Sequence, residues 1–281
     1  MTAQRRTTRT HSTTIGLRRE LLDAVGVLLT QARSALFITG PAMMTDSALV
    51  HYRGIPGLHR RKPEDAKIFE AVLSVETLRA KPALTWKYLL AMDAAVRAVE
   101  PNRGHEVIAE LGRRIPRVTI MTTNVDRLLQ RAGVRNVIEM HGALHDLLCP
   151  RCEISQRHDR FDRMAVPPIC RTCGGVLRPD MPLFGEALPA DPFTRLQAEL
   201  DEGFDIVFSI GVGAMFPYLA RPLLVAKSEG IPTIEIGSQP TDLSEVVDFR
   251  FHGRPMRVLD LIGQVYEQLA SKRARKMTSR L

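Results

Sequence analysis

Five short apolar runs along the chain predict the strands of a sheet. They occupy residues 35–39, 117–122, 135–140, 205–210 and 232–236. The runs are largely unbroken and do not alternate with polar residues, which is typical of strands buried on both faces. We therefore expect a parallel sheet with helices on both sides.

Amphipathic segments alternate with these runs and predict the helices. The clearest covers residues 17–33, where apolar residues at 17, 21, 22, 25, 28 and 29 follow helical spacing. The other predicted helices cover 64–99 with a break at Pro82, 103–114, 127–132, 191–202, 217–229 and 257–270. Strands alternating with helices indicate an α/β fold, in which ligands bind beyond the carboxyl ends of the strands. The candidate site therefore comprises the loops at 40–53, 122–126, 141–142, 211–213 and 236–239.

The 281-residue chain has a formal net charge of +8, and basic residues gather at both ends, in residues 1–14 and 271–281. Such runs are typical of solvated tails, and we interpret them so. Two alternatives stay open, attraction to a nucleic acid through these tails and an organelle transit peptide at the start. No apolar run reaches the ~18 residues that a membrane span needs, so we expect a soluble, cytoplasmic protein with no membrane partner.

The four cysteines form two Cys-x-x-Cys pairs, Cys149 with Cys152 and Cys170 with Cys173. Two such pairs at this separation are typical of a structural zinc site, and four cysteines leave no open position for chemistry. The stretch 151–163 is too charged to form a core alone, so we expect zinc binding to be coupled to folding of the module. Free buried thiols or a redox-active pair are the alternatives.

Six motifs occur in the order and at spacings similar to those of sirtuins. They are residues 39–53 (TGPAMMTDSALVHYR), 122–126 (TTNVD), 141–142 (HG), the two cysteine pairs, 178–186 (RPDMPLFGE) and 211–217 (GVGAMFP). The chain thus resembles a bacterial-type sirtuin, an NAD-dependent protein-lysine deacylase, over about residues 17 to 270.

The resemblance implies a Rossmann-like domain formed by residues 15–53, 103–146 and 176–270, with an inserted zinc-binding module at 147–175. A helical segment at 54–102 would cover the cofactor. NAD and an acylated-lysine peptide would enter the cleft from opposite sides. The products would be free lysine, nicotinamide and O-acyl-ADP-ribose.

Roles for individual residues also follow from the resemblance. His141 matches the catalytic base, and its imidazole suits that task because its pKa lies near working pH. Asn124 and Asp126 match residues that hold the nicotinamide ribose and carboxamide, although an Asn-x-Asp at a strand end also caps helices. Arg53 matches an arginine on the NAD phosphates, with an ordinary surface arginine as the alternative. The remaining expected NAD contacts are Gly40, Pro41, Ala42, Thr123, Gly211, Gly213 and Gly237, and the expected peptide contacts are Met181, Pro182, Phe184, Gly185 and Glu186.

The chain departs from the family pattern at its nucleotide loops. The usual Gly-Ala-Gly-Ile-Ser is replaced by residues 40–44 (GPAMM), in which Pro41 lacks an amide donor and Met44 lacks a hydroxyl. Thr123 stands for the usual Gln, residues 211–213 (GVG) stand for the usual Gly-Thr-Ser, and Gly237 stands for an Asn. Lost hydrogen bonds at these positions are expected to weaken NAD binding.

Four functions follow from these observations. A deacylase preferring an apolar acyl group is the first, because Leu89 and Met92 stand where sirtuins that remove acidic acyl groups carry Tyr and Arg. The second is a weak or inactive sirtuin that binds NAD or ADP-ribose as a regulator. ADP-ribosyl transfer or NAD hydrolysis in the same site is the third, and a zinc-ribbon nucleic-acid binder is the fourth. The sequence leaves the oligomeric state open.

Overall fold

The structure is a computed structural model that describes residues 10–45, 63–212 and 216–278, with side chains over 19–44, 67–212 and 216–276. The chain up to residue 122 forms α1 (Thr10–Gln31), β1 (Ser34–Thr39), α2 (Ala42–Thr45), α3 (Pro63–Val72), α4 (Val75–Ala80), α5 (Pro82–Arg97), α6 (Arg103–Arg114) and β2 (Arg117–Thr122). The middle forms α7 (Leu128–Arg131), β3 (Val137–Glu139), β4 (Ala143–Leu148), β5 (Ser155–Arg157) and β6 (Arg178–Asp180). The last part forms α8 (Ala190–Asp201), β7 (Ile206–Ile210), α9 (Pro217–Ser228), β8 (Thr233–Gly237), β9 (Phe249–His252) and α10 (Pro255–Thr278).

Six strands form one parallel sheet in the order β3-β2-β1-β7-β8-β9. Because crossovers run to both sides of β1, the order reverses between β1 and β7, which is where open α/β sheets bind ligands. The register brings Thr39 beside Thr122 and beside Ile210. The carboxyl ends of the three central strands therefore lie level with one another.

Both faces of this sheet are covered by helices, which confirms the predicted α/β class. One core joins α1, α6 and α10 to the sheet, with Phe37 and Phe208 stacked at 4.8 Å between ring centroids. The opposite core packs α8 and α9 against the same strands. Burial of this kind is the main stabilising term for the domain.

The zinc-ligand segment shares a core with helix α5. Trp86 of α5 is buried, meets Phe161 at 5.2 Å between ring centroids and donates its indole N–H to the Leu177 carbonyl at 2.9 Å. The buried carboxylate of Asp93, also on α5, accepts from His145 at 2.8 Å and from the Phe161 amide at 3.1 Å. The module therefore obtains its apolar core from the helical segment, in addition to any metal.

Several elements differ from the sequence prediction. Helix α1 begins at Thr10, inside the segment expected to be disordered, and α10 continues to Thr278, so its exposed Lys272, Arg273 and Arg275 lie on a helix. The residues after 270 are mostly good helix formers, which explains the extension. The sequence prediction missed α2, β4, β5, β6 and β9, and the limits of the predicted domains stay predictions. Within the described residues, no helix combines the length and apolar character needed to cross a membrane.

Candidate active site

The loops after β1 and β7 cross each other at backbone contact distance. Gly40 donates to the Ile210 carbonyl and Ala42 to the Gly211 carbonyl, both at 3.0 Å. A Cβ on Gly40 would lie 2.7 Å from the Gly211 carbonyl oxygen, and Gly211 has a positive φ of 64°. Glycine is therefore required at both positions, one for space and the other for its backbone conformation.

The amides of the first loop are used inside the protein. Met43 donates to the Gly40 carbonyl and Met44 to the Pro41 carbonyl, each at 3.1 Å. Both methionine side chains are buried, Met43 in the main core and Met44 against Val99 and Leu128. The open cradle of amides that a glycine after a strand suggests is thus absent at these two residues.

The ends of β1, β2 and β7, where the strand order reverses, define the candidate ligand site, which we call the crevice. Asn124 and Asp126 follow β2 and bury polar atoms beside it. The Asn124 amide nitrogen donates to the Gly40 carbonyl at 3.3 Å, while its Oδ1 is buried without a partner. Asp126 Oδ1 accepts from the Leu128 amide at 2.7 Å, at the start of α7, while its Oδ2 also lacks a partner. Burial raises the pKa of Asp126 to about 6. A further unpartnered oxygen is the buried hydroxyl of Thr39, at the end of β1.

His141 lies in the tight turn after β3 and is held on two sides. Its Nε2 lies 2.8 Å from the Tyr218 hydroxyl, and its ring is also hydrogen-bonded to the Thr123 backbone. Burial lowers the pKa of His141, against the opposing effect of the Thr123 bond. The next residue, Gly142, has a φ of 62°, and a Cβ there would lie 1.9 Å from the Asp180 carbonyl oxygen. The His-Gly pair is therefore fixed by steric fit.

Arg127 holds the two strands on either side of this turn, and the sequence analysis did not identify it. It has a left-handed backbone, with φ of 58°, and its guanidinium pairs with Glu139 at 3.0 Å and with Asp146. The pairing ties β2, β3 and β4 together next to His141. Only an unusual φ marks the residue, and a sequence pattern does not reveal that.

The expected peptide contacts lie in the connection between β6 and α8, which Arg178 holds in shape. The buried guanidinium of Arg178 donates to Glu186 at 2.7 Å and to the Met181 carbonyl at 2.6 Å. Phe184 is 46% exposed, but its N–H and C=O pair with Leu73 and Val75 of the helical segment at 3.0 and 3.1 Å. The backbone of Phe184 is thus already engaged, and Met181, Pro182 and Gly185 flank it in the same loop.

The four cysteines converge as the spacing predicts. Their sulfur atoms all lie within 4.8 Å of one another, with 3.4 Å between Cys149 and Cys173 and 3.6 Å between Cys152 and Cys170. A tetrahedral zinc ion with Zn–S bonds of about 2.3 Å places its sulfurs about 3.8 Å apart, so the cluster fits zinc. Backbone N–H groups of Cys173 and Thr172 lower the pKa of Cys170, whereas the neighbouring sulfurs raise the pKa of Cys152, so the four thiols share their charge unequally without a metal.

The structure describes only some of the remaining predicted contacts. Arg53 and Gly213 lie outside the described residues, and Gly237 ends β8, where its carbonyl accepts from Gly253 at 3.0 Å. The described residues bring Gly40, Asn124 and Gly211 together, with Thr123 between the β1 end and His141. Tyr218 is a further residue of this site that the motifs did not reveal.

Comparisons with known proteins agree with this arrangement. The model of the "Sir2 family" matches residues 40–215. "NAD-dependent protein deacylase 2" of Pseudomonas aeruginosa is 40% identical over 251 residues, covering 88% of this chain and 97% of that protein. The protein of the same name from Pseudomonas syringae pv. tomato is 39% identical, covering 84% and 97%. A solved structure described as a Sir2 homologue–NAD complex has a TM-score of 0.78 and 29% identity, and the alignment covers 89% of this chain and 94% of that one. The chain therefore belongs to the Sir2 family.

Proposed function

We propose that the chain is an NAD-dependent protein-lysine deacylase that releases nicotinamide and O-acyl-ADP-ribose. The observation that carries the proposal is the imidazole of His141 at the strand ends, with two buried, unpartnered oxygens in the same crevice, Asn124 Oδ1 and Asp126 Oδ2. Buried polar atoms without partners are costly, so they mark a place where a ligand supplies the missing hydrogen bonds. The names of the bacterial relatives support the same reaction class.

These oxygens fit NAD, which presents hydroxyl and carboxamide donors. When bound, NAD supplies a leaving nicotinamide and a ribose carbon that accepts the acyl oxygen. Asn124 and Asp126 would accept hydrogen bonds from the carboxamide and ribose, and Arg53 would contact the phosphates. Gly40 and Gly211 keep the two strand ends close enough to form one crevice.

His141 would act as the general base toward a ribose hydroxyl. Because burial lowers its pKa, the imidazole is neutral at physiological pH and can accept a proton. The half-buried turn also shields it partly from bulk water. Thr123 and Gly142 hold the ring in place, through a backbone hydrogen bond and a close backbone contact.

Zinc would bind the four cysteines and stabilise the module without taking part in the reaction. The four sulfurs complete a tetrahedron, so no position is left for water or substrate. Metal analysis of the purified protein should give one zinc per chain.

The acyl group is expected to be apolar, either acetyl or longer. Leu89 and Met92 are buried beside Trp86 in one apolar cluster. A succinyl carboxylate placed against these residues would be buried without a cation, which is unfavourable. Rates with acetyl-, decanoyl- and succinyl-peptides test this directly, and a preference for the succinyl peptide would contradict it.

The main test is calorimetric titration with NAD, with and without an acetyl-lysine peptide, followed by measurement of nicotinamide release. We expect binding in both titrations and nicotinamide release that depends on the acylated peptide. Release without peptide, or labelled ADP-ribose attached to protein, would instead indicate NAD hydrolysis or ADP-ribosyl transfer.

A second candidate is an NAD- or ADP-ribose-binding regulator with little turnover. The observation in its favour is that Met43 and Met44 use their amides inside the first loop, so these two amides are not available to a phosphate. Ligand binding with no peptide-dependent release of nicotinamide would select this candidate.

A further inference from the structure

Tyr218 lies in the first turn of α9, and its phenol ring is held between two other aromatic rings. Phe216 stacks on it with 6.0 Å between centroids and an interplanar angle of 11°. Phe193 of α8 meets it edge-on at 5.6 Å. These contacts fix the direction in which the hydroxyl points, and its oxygen lies 2.8 Å from His141 Nε2.

The second hydrogen bond of the imidazole determines which atom donates in this contact. The ring is bonded to the Thr123 backbone, where the available group is a carbonyl, so the ring nitrogen on that side carries the hydrogen. In the neutral imidazole the other nitrogen, Nε2, then holds a lone pair. Burial raises the pKa of Tyr218, so its phenol keeps its proton and donates to Nε2.

We propose that Tyr218 is a positioning residue, which holds His141 as the neutral tautomer whose Nε2 is the basic atom. A hydrogen bond to the lone pair stabilises the neutral ring, because a protonated Nε2 cannot accept it. The phenol also fixes the direction of Nε2, which can take a proton from a substrate hydroxyl when that hydroxyl replaces the phenol as its hydrogen-bond partner. The kinetic consequence of this proposal rests on the proposed deacylase function, whereas the contact itself does not.

Among the described residues, no charged group is bonded to the imidazole in a way that would set its protonation state. No carboxylate or cation there forms an ion pair with His141. Glu139 is paired with Arg127, and Asp180 is exposed. The charged groups on the segments around His141 are Asp126, Arg127, Glu139, Asp180 and, on α9, Arg221.

The test is a titration of His141 by NMR in the ligand-free, zinc-loaded protein, with Tyr218→Phe compared with the wild type. The His141 resonance is assigned through its loss in His141→Gln. Removing the hydroxyl while keeping the ring should raise the pKa of His141 by about 0.5–1 unit, the shift that corresponds to losing one neutral hydrogen bond. The nitrogen-15 shifts of the wild type should place the hydrogen on Nδ1 at high pH.

Tyr266→Phe is the matched control, because Tyr266 is a buried tyrosine of α10 in the main core, outside the crevice. It should leave the titration of His141 unchanged. An equal pKa of His141 in the wild type and in Tyr218→Phe, or a hydrogen on Nε2 in the neutral wild type, would overturn the proposal.

Kinetics then connect the contact with turnover. Relative to wild type, kcat/KM of Tyr218→Phe on an acetyl-peptide should be lower at pH 5 than at pH 8.5, by a factor that approaches about 3–10 as the pH falls below both pKa values. If the wild type shows no peptide-dependent turnover, the proposed function fails, and the NMR titration still decides the role of Tyr218. If turnover is normal and neither the pKa nor the pH profile changes, the role of Tyr218 fails alone.

Discussion

The two sides of the crevice differ in how they satisfy their polar groups. The imidazole side, formed by Asn124, Asp126 and His141, buries two oxygens that have no partner in the protein. The glycine side, formed by residues 40–44 and Gly211, pairs its backbone groups with one another and buries two methionines. One side therefore requires a ligand to complete its hydrogen bonds, and the other already contributes to the stability of the fold.

Because of this difference, substitutions on the two sides should affect ligand binding and folding stability to different degrees. An unpaired buried oxygen costs about 1–3 kcal/mol, which a bound ligand recovers. Buried methionines stabilise the protein whether or not a ligand is present. Substitutions on the imidazole side should therefore change catalysis or ligand binding more than folding, and substitutions on the glycine side should do the reverse.

The largest expected effect is on catalysis, from His141→Ala. Peptide-dependent nicotinamide release should fall by about 10²–10⁴-fold, the contribution typical of a positioned general base. The affinity for NAD, measured by calorimetry, should change little because the unpartnered oxygens of Asn124 and Asp126 remain. The exposed His252 provides the control, and its alanine variant should match the wild type. Retention of more than a tenth of the activity in His141→Ala would remove this residue from the role of base.

Met44→Ser should instead lower the stability of the protein more than its NAD affinity. It adds a hydroxyl to the first loop but removes a buried side chain from the core. Met44 is 2% exposed and packs against Val99 and Leu128. Replacing a buried methionine with a small residue costs about 2–5 kcal/mol, so the melting temperature should drop clearly while NAD affinity does not improve. Met44→Leu conserves volume and should cost less than about 1.5 kcal/mol. Tighter NAD binding by Met44→Ser would show that the loop is a weakened phosphate site.

The sequence predicted the central sheet well because its strands are continuous apolar runs. The ends of β1, β2, β7 and β8 fall within one or two residues of the predicted limits. The strands β5 and β6 have three residues each and little apolar character, so their pairing depends on β4, the cysteine cluster and the core shared with α5. No local pattern reports such dependence on distant segments.

The candidate site divides in the same way. The resemblance to sirtuins pointed to Asn124, Asp126 and His141, because each stands in a short motif after a predicted strand, and their roles stay predictions. Tyr218 and Arg178 could not be recognised, because the partner of Tyr218 is 77 residues away and the role of Arg178 emerges only from the folded loop. The sequence also gave no sign that Met43 and Met44 would be buried.

Gly40→Ala tests how closely the glycine side is packed. The added Cβ would lie 2.7 Å from the Gly211 carbonyl oxygen and 2.8 Å from Val212 Cα, so the backbone must shift. Forced overpacking of this kind costs about 1–3 kcal/mol, and we expect a lower melting temperature together with weaker NAD binding. Gly112→Ala is the control, because nothing lies within 4 Å of a Cβ there and the exposed helix position favours alanine. Equal melting temperatures for Gly40→Ala and wild type would mean that the two loops are not in contact.

Asp126→Asn gives the smallest effect and the most specific one, because its sign depends on pH. The folded-state pKa of Asp126 is about 6, above the ordinary value of 3.8, so the ionised carboxylate destabilises the ligand-free protein. This penalty is absent below the unfolded pKa and complete above the folded one, and between pH 8 and pH 5 it falls by about 1 kcal/mol. Asparagine stays neutral and keeps an acceptor for the Leu128 amide, so the variant should gain about 2 °C more in melting temperature over wild type at pH 8 than at pH 5. Asp159→Asn, at an exposed carboxylate outside the crevice, should show no such difference. A gain that is equal at the two pH values would mean that Asp126 is not buried unpaired, and the contrast between the two sides of the crevice would then lose its electrostatic basis.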